Sequence, residues 1–181
     1  MPLSIGKNRK FQAALESYRI DLYRVAYSWS HDRELANDLS QETLAKALTH
    51  AEKLQNISSM KSWLFRIMRN CWHDSYKKTK ENENIDNYEL ITEDISEESI
   101  FQHQIKQQVK AAICKLSEEQ RQAVTLVDLV SMSYTEAAES LEIPIGTLMS
   151  RLHRARKHLQ THLHDLDIHK TAPQQHVRRV K

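Results

Sequence analysis

The chain has 181 residues, with 26 Lys and Arg against 24 Asp and Glu, and this length suits one ordinary domain or two small ones with modest cores. With two glycines, three prolines and two cysteines, it can form neither a G-x-G-x-x-G nor a P-loop phosphate cradle, and nothing indicates a disulfide framework or a structural zinc site. Because no apolar run approaches the roughly 18 residues of a membrane span and the N-terminal residues lack a signal-peptide pattern, we expect a cytoplasmic protein without membrane insertion.

Charge is segregated along the chain. Residues 1–80 carry 14 bases against 8 acids, residues 81–100 carry 8 acids and no base, and residues 101–181 carry 12 bases against 8 acids. Two basic blocks therefore flank an acidic connector. This pattern is typical of separate modules that bind polyanions.

The first basic block predicts three helices, because the scarcity of glycine and proline favours an all-α fold. Apolar residues at steps of three and four predict a first helix of about five turns; they are Phe11, Leu15, Tyr18, Leu22, Val25 and Trp29. A second helix is predicted from Asp32 to Ala51, and residues 54–60 read as a loop. The third helix has its own apolar stripe, formed by Leu64, Ile67, Met68 and Cys71.

The acidic connector, residues 80–99, contains few large apolar residues and predicts a flexible linker. It separates two small helical domains, residues 8–79 and residues 100–165. Residues 166–181 are predicted to be a disordered basic tail.

The second domain carries sharper signals. Ser117-Glu-Glu-Gln120 and Ser133-Tyr-Thr-Glu136 are both capping-box signatures that open helices. The second of these helices is short and is followed by the turn Glu142-Ile-Pro-Ile-Gly146 and a basic helix. This layout predicts a helix-turn-helix. The inward stripe of its last helix is predicted to be Ile145, Leu148, Leu152, Ala155 and Leu159.

The other face of that last helix is basic and polar and predicts binding to duplex DNA. Side chains near the start of such a helix contact base edges, and its cations hold phosphates. The alternative is a basic face that is merely solvated. The candidate residues are Thr147, Met149, Ser150, Arg151, His153, Arg154, Arg156 and Lys157.

The third helix interleaves an aromatic residue with bases and hydrogen-bonding groups, which indicates single-stranded DNA as a ligand. These candidates are Trp63, Arg66, Asn70, His73 and Lys77. For Trp72, burial in the core is an interpretation at least as good as contact with a DNA base. An acidic and amide patch, Asp38, Gln41 and Glu42, lies on the second helix away from its apolar stripe.

Catalytic and metal-binding patterns are not evident in the sequence. No paired-carboxylate, Ser/His/Asp or Cys/His arrangement has supporting context, so we do not predict an enzyme or a cofactor. His158 and His162 are one turn apart, but they lack a third ligand at metal-binding spacing. Exposed histidines are therefore predicted, not a metal site.

Four motifs together resemble the extracytoplasmic-function (ECF) subfamily of the sigma-70 family of bacterial sigma factors. The first two are Asp38-Leu-Ser-Gln-Glu42 and Trp63-Leu-Phe-Arg-Ile-Met-Arg-Asn70, the latter followed by Asp74 and Lys77-Lys78. The other two are Tyr134-Thr-Glu-Ala-Ala138 and Ile143-Pro-Ile-Gly-Thr147, followed by Ser150, Arg151, Arg154 and Arg156. They occur in the family's order over about residues 8–165.

The resemblance implies sigma region 2 at residues 8–79 and sigma region 4 at residues 100–165. It implies that Asp38, Gln41 and Glu42 bind the β′ clamp helices of core RNA polymerase, and that region 4 also meets the β flap. Trp63, Arg66 and Asn70, with the loop at residues 54–60, would hold the melted −10 strand.

For region 4 the resemblance implies that Ser150, His153 and Arg154 face −35 bases, while Thr147, Arg151 and Arg156 touch mostly backbone. Met149 stands where many relatives carry a basic residue, so that one groove contact is apolar or missing.

An anti-sigma factor is expected from the resemblance as a further partner, which could hold the protein at the inner face of the membrane. Two other functions stay open: a sigma-like decoy that titrates an anti-sigma factor, and a conventional helix-turn-helix regulator that binds duplex DNA alone.

Overall fold

The computed structural model describes the backbone of residues 5–54, 56–81 and 97–164, and the side chains of residues 9–54, 56–75, 105 and 107–163. Throughout this part of the chain the regular structure is helical, which confirms the predicted all-α class. The α-helices are α1 Ile5–Ser17, α2 Arg19–Ser30, α3 Arg33–Thr49, α4 Met60–Glu81, α5 Glu97–Cys114, α6 Glu118–Val124, α7 Tyr134–Leu141 and α8 Ile145–His164. A π-helical turn, Thr125–Leu129, extends α6.

The single helix predicted for the first apolar stripe is wrong, because the chain forms α1 and α2 with a break at Tyr18. The Tyr18 amide bonds to the Leu15 carbonyl at 3.0 Å, three residues back, and the Ser17 hydroxyl donates to the Ala14 carbonyl at 2.7 Å. Such local bonds compete with the regular helical ladder. The stripe nevertheless stays on one side of the pair, since Leu15 and Leu22 are both buried.

The second and third helices follow their predictions closely. Asp32 caps α3 by accepting hydrogen bonds from the amides of Glu34 and Leu35, and the cap explains why the helix begins there. The 3-10 turn Ile57–Ser59 lies in the segment predicted as a loop. A second 3-10 turn, Ala51–Lys53, precedes that segment, because α3 ends at Thr49 and not at the predicted Ala51. The predicted stripe of α4 is correct at Leu64, Met68 and Cys71, which are buried. Ile67 is only partly buried, and Phe65, which was not predicted, is buried instead.

Both predicted capping boxes are present. Ser117 accepts from the Gln120 amide, and Ser133 accepts from the Glu136 amide. In each case the side chain at the third helical position bonds back to the capping residue. These two boxes fix where α6 and α7 begin and thereby set the helix-turn-helix.

The predicted stripe of α8 is correct at Leu148, Leu152 and Ala155, which are buried, but wrong at Ile145, which is 48% exposed. Ile145 is the first residue of α8, directly after Pro144. Ile143, in the turn, packs against the core instead. The turn residue thus takes the inward position that periodicity assigned to the helix.

Sigma-like regions predicted as separate folding units share one hydrophobic core in this structure. Trp29 and Phe65 of the first unit belong to the same buried cluster as Leu126 and Leu141 of the second. At its centre the Trp29 indole donates to the Thr125 hydroxyl at 2.9 Å. Most of the linker prediction, from residue 82 to 96, lies outside the described residues, as does the predicted tail.

Replacing Thr125 by valine keeps the side-chain volume and removes the hydroxyl that accepts from Trp29. We expect the free energy of unfolding to fall by about 1–3 kcal/mol, because the buried indole N–H loses its partner. Chemical denaturation measures the change. Thr161→Val is the matched control on an exposed helical site, and we expect it to stay within about 0.5 kcal/mol. Two separate unfolding transitions in the unmodified protein would contradict a shared core.

The buried imidazole of His31 makes the free energy of unfolding depend on pH. His31 ends α2 with φ 56°, and burial, followed by the charges of Arg121 and Lys110, lowers the pKa of its imidazole to about 4. Since the folded state disfavours the charged form, stability is full above the usual pKa of 6.5 and is lost as the pH falls from there toward 4. His31→Asn, which tolerates the left-handed backbone, should flatten this dependence. Denaturation at pH 7 and pH 4.5 tests it; an unchanged slope would be the contrary result.

Candidate nucleic-acid interface

The acidic patch on α3 is fully presented to solvent. Asp38, Gln41 and Glu42 are all exposed, while Leu39 and Thr43 on the opposite side of the helix are buried. The structure therefore brings the three predicted residues onto one surface. Such a surface can receive cationic or hydrogen-bond-donating groups of a partner.

Glu42 differs from its two neighbours because it has an ion-pair partner. The Lys46 ammonium lies 2.8 Å from the Glu42 carboxylate and 3.9 Å from that of Asp74 on α4. The hydrogen bond to Glu42 raises the pKa of Lys46. Asp38 and Gln41, among the described residues, make no such contact and are the open part of the patch.

The outer side of α4 carries the candidates for single-stranded DNA. Asn70 is exposed, while Trp63 and His73 are half-buried. Trp63 packs against Phe11 with 6.4 Å between ring centroids. The side chain of Lys77 lies outside the described residues. Trp63 and Asn70 thus share one accessible side of the helix.

Arg66 is placed differently from Asn70, because α7 covers it. Its Nε donates to the Glu139 carbonyl at 3.3 Å and lies 3.9 Å from the Glu142 carboxylate. In this arrangement Arg66, which we predicted to contact DNA, bonds to region 4 instead.

Sequence reasoning missed two more cations in the same contact. Arg69 forms a 2.7 Å ion pair with Glu142, and the Lys61 ammonium donates to the Val130 carbonyl at 2.6 Å. Arg69 could have been found from its spacing, since it follows Arg66 by three residues on a helix. Lys61 could not, because its partner is a backbone carbonyl in a distant segment.

Trp72 is a core residue. It is 6% exposed, its ring meets Trp29 edge-on at 6.1 Å, and its indole donates to Glu118 at 2.7 Å. The hydrogen bond satisfies the only polar group of the side chain. Of the two interpretations of Trp72, the structure supports burial in the core and not contact with a DNA base.

The helix-turn-helix positions α8 through a tight turn. Glu142 adopts a left-handed conformation, φ 51°, and its amide bonds back to the Ala138 and Glu139 carbonyls. Pro144 directly precedes α8, and its carbonyl accepts hydrogen bonds from the Thr147 amide at 2.9 Å and the Leu148 amide at 3.1 Å. Buried Leu148 and Leu152 hold the helix against the core, so its other face points outward.

That outer face is largely accessible, and its side chains differ in how far they are engaged within the chain. Thr147 and Arg151 are half-buried. The Arg154 guanidinium folds back on Ser150, with 3.2 Å to its carbonyl and 3.4 Å to its hydroxyl. The exposed members are Met149, Ser150, His153, Arg154, Arg156 and Lys157.

Arg156 is held by two acceptors from other segments. It makes a bidentate pair with Asp128 at 2.7 and 3.1 Å and donates to the Tyr134 hydroxyl at 3.3 Å. These hydrogen bonds raise the pKa of Arg156. The geometry fixes Tyr134 and Arg156 together beside the outer face. Neither Asp128 nor Tyr134 was among the candidates.

Two histidines near the end of α8 lie side by side. His158 and His162 contact each other edge-on at 4.5 Å, yet no group of three potential metal ligands occurs in the part of the chain that the structure describes. Among the helices described, none is long and apolar enough to cross a bilayer.

The Glu142 ion pair yields a stability prediction. Glu142→Lys places a third cation beside Arg66 and Arg69 and should lower the free energy of unfolding by about 1 kcal/mol, since partly exposed pairs contribute little more. The control is Glu139→Lys, because Glu139 joins the contact only through its backbone carbonyl. Denaturation of both variants tests this. Equal losses would show that the Glu142 carboxylate contributes nothing.

Comparison with known proteins identifies both units. Family models for Sigma-70 region 2 and Sigma-70 region 4 match residues 14–81 and 106–159. The chain is 34% identical over 165 residues to an ECF RNA polymerase sigma factor, EcfG, of Rhodopseudomonas palustris, which covers 91% of this chain and 88% of the relative. It is 31% identical to the ECF sigma factor SigM of Bacillus subtilis, over 80% of this chain and 90% of that one.

Two solved structures have the same fold. One is the sigma factor RpoE of Bartonella quintana in complex with the anti-sigma factor NepR, with 28% identity, a TM-score of 0.69 and coverage of 89% of this chain and 98% of that one. The other is CnrH in complex with the cytosolic domain of CnrY, with 23% identity, a TM-score of 0.63 and coverage of 88% and 90%. With both regions matched in order, this chain belongs to the ECF subfamily of the sigma-70 family of RNA polymerase sigma factors.

Proposed function

We propose that this protein is a sigma factor that binds core RNA polymerase and directs promoter-specific transcription initiation under the control of an anti-sigma factor. The single observation that carries the proposal is the presence, in one chain, of both sigma regions with an exposed acidic face on α3 and an exposed basic face on α8. The first suits a protein partner and the second suits duplex DNA. The polymerase supplies the chemistry of RNA synthesis.

Polymerase binding is assigned to Asp38, Gln41 and Glu42. Asp38 and Gln41 present polar groups that a partner can engage directly, whereas Glu42 would exchange its intrachain pair with Lys46 for a contact on the β′ clamp helices. Exchange of one ion pair for another changes little net energy. Asp38 is therefore the sharper site for a test. A further contact, between region 4 and the β flap, is expected from the family.

Promoter duplex is assigned to α8. Its N-terminal turns would enter the major groove at the −35 element, with Ser150, His153 and Arg154 toward base edges. Arg156 would contact the DNA backbone, because Asp128 and Tyr134 already hold its guanidinium in place. For Arg154 to reach a base, it must release its bonds to Ser150.

Melted −10 DNA is assigned to the accessible side of α4, led by Trp63 and Asn70, with Arg66 joining after rearrangement. Arg66 bonds to Glu139 in the present arrangement, so phosphate and region 4 compete for the same cation. Promoter opening would then require α4 and α7 to separate. Binding of polymerase and DNA would provide the differential affinity that favours the separated state.

Control by an anti-sigma factor is supported by the similarity to RpoE, which was solved with its anti-sigma factor NepR. A partner that stabilises the packed arrangement of α4 and α7 would keep Arg66 and Arg69 on region 4. It would thereby oppose promoter binding without covering every DNA-binding residue. We place the protein in the cytoplasm, where polymerase and DNA are found.

The test is reconstitution with core RNA polymerase and fragmented bacterial genomic DNA, followed by sequencing of transcript starts. We expect new starts that share upstream elements near −35 and −10. A protein that binds core but starts nothing would be a decoy for an anti-sigma factor. A protein that ignores core and binds duplex alone would be a conventional helix-turn-helix regulator.

Asp38→Lys should weaken binding to core polymerase by at least about 30-fold, because losing one partner of a buried charged contact costs 2 kcal/mol or more. The matched charge reversal is Glu16→Lys on α1, where the exposed native carboxylate forms a 2.8 Å ion pair with Arg19. Fluorescence titration of core with each labelled variant measures the difference. Wild-type affinity of Asp38→Lys would remove the assignment of this patch.

A further inference from the structure

Two apolar side chains are exposed at the start of α8. Ile145 is 48% and Met149 is 51% exposed, and they lie one helical turn apart on one side. Gly146 lies between them, and a Cβ added there would meet nothing within 4 Å. The beginning of the helix therefore presents an open, partly apolar surface.

Polar and cationic groups lie beside Met149. It lines one surface groove together with Tyr134, His153, Arg156 and Lys157. The cations favour a polyanion as the occupant. The apolar surface of Met149 is best matched by an uncharged nonpolar group on that polyanion.

Other side chains on the face are already engaged. The Ser150 hydroxyl donates to the Thr147 carbonyl at 2.9 Å, Arg154 bonds to Ser150, and Arg156 bonds to Asp128. Met149 has no hydrogen-bonding capacity that could read a guanine edge. Its unbranched thioether side chain can instead adapt its shape to a small apolar group.

The major groove of DNA offers one apolar group at base edges, the C5 methyl of thymine. We infer that Met149, supported by Ile145, is a specificity-determining residue that reads thymine methyl groups within the −35 element. This inference rests on the proposed function, because it requires α8 to bind the −35 duplex.

Thymidine and 2′-deoxyuridine differ by the C5 methyl group alone, so their exchange isolates the contact. The full chain bound to core polymerase is titrated with the promoter duplex found by mapping transcript starts, at fixed salt. Thymines of both strands in the −35 element are replaced one at a time. Loss of one buried methyl should weaken binding about four-fold at one or two positions.

Variants at Met149 test whether this side chain makes the methyl contact. Met149→Ala should bind the thymine and uridine duplexes equally, whereas Met149→Leu should restore the preference because it keeps the apolar volume. Leu129→Ala removes an exposed apolar side chain outside α8 and should retain the full methyl effect. The alanine variant should still bind core normally.

Three results would overturn the inference while leaving the sigma assignment intact. They are equal binding of wild type to all substituted duplexes, a methyl effect that persists in Met149→Ala, and a functional −35 element without any A·T pair. If Met149→Ala instead lost affinity for core, the apolar pair would belong to a polymerase contact. Absence of any promoter binding by wild type would defeat the proposed function itself.

Discussion

Packing of α4 against α7 is the interaction on which the arrangement of this molecule depends. The inner face of α4 holds the core of region 2, and its outer cations bond to region 4 through Glu139 and Glu142. The same helix is thus both a structural element and a candidate DNA-binding element. Its two roles conflict at Arg66, which can contact either region 4 or a phosphate at one time.

Several polar contacts extend this packing into the core that both regions share. Trp29 reaches Thr125, Arg121 donates to the Trp29 carbonyl at 3.0 Å, and Ser140 donates to the Ser62 carbonyl at 3.1 Å. The first of these bonds pairs the buried indole N–H of Trp29, which would otherwise lose its partner. Separation of the regions would expose apolar surface and break these bonds together. The packed arrangement therefore needs a competing partner before α4 becomes available.

Local signals in the sequence predicted local structure well. The capping boxes at Ser117 and Ser133 predicted where two helices begin. In each box the capping hydroxyl and the side chain three residues later bond to each other's backbone amides, so nearby residues alone define the first turn. The exposure of Ile145 and the helix break at Tyr18 were not predicted. Both depend on which residue contacts the core, and periodicity alone does not determine that. The candidate site follows the same rule. Exposed faces on α3 and α8 were identifiable, and the spacing of Arg69 from Arg66 could have indicated Arg69. Its partner Glu142, 73 positions away, has no local signal.

Separation of the two regions on promoter binding is the central claim, and a distance measurement tests it most directly. Spin labels at exposed Ala45 on α3 and Gln160 on α8, after replacement of Cys71 and Cys114 by alanine, report the spacing of the regions by pulsed electron resonance. The account predicts one short, narrow distance for the protein alone and a longer one in the complex with polymerase and promoter. The same distance in both states would contradict it.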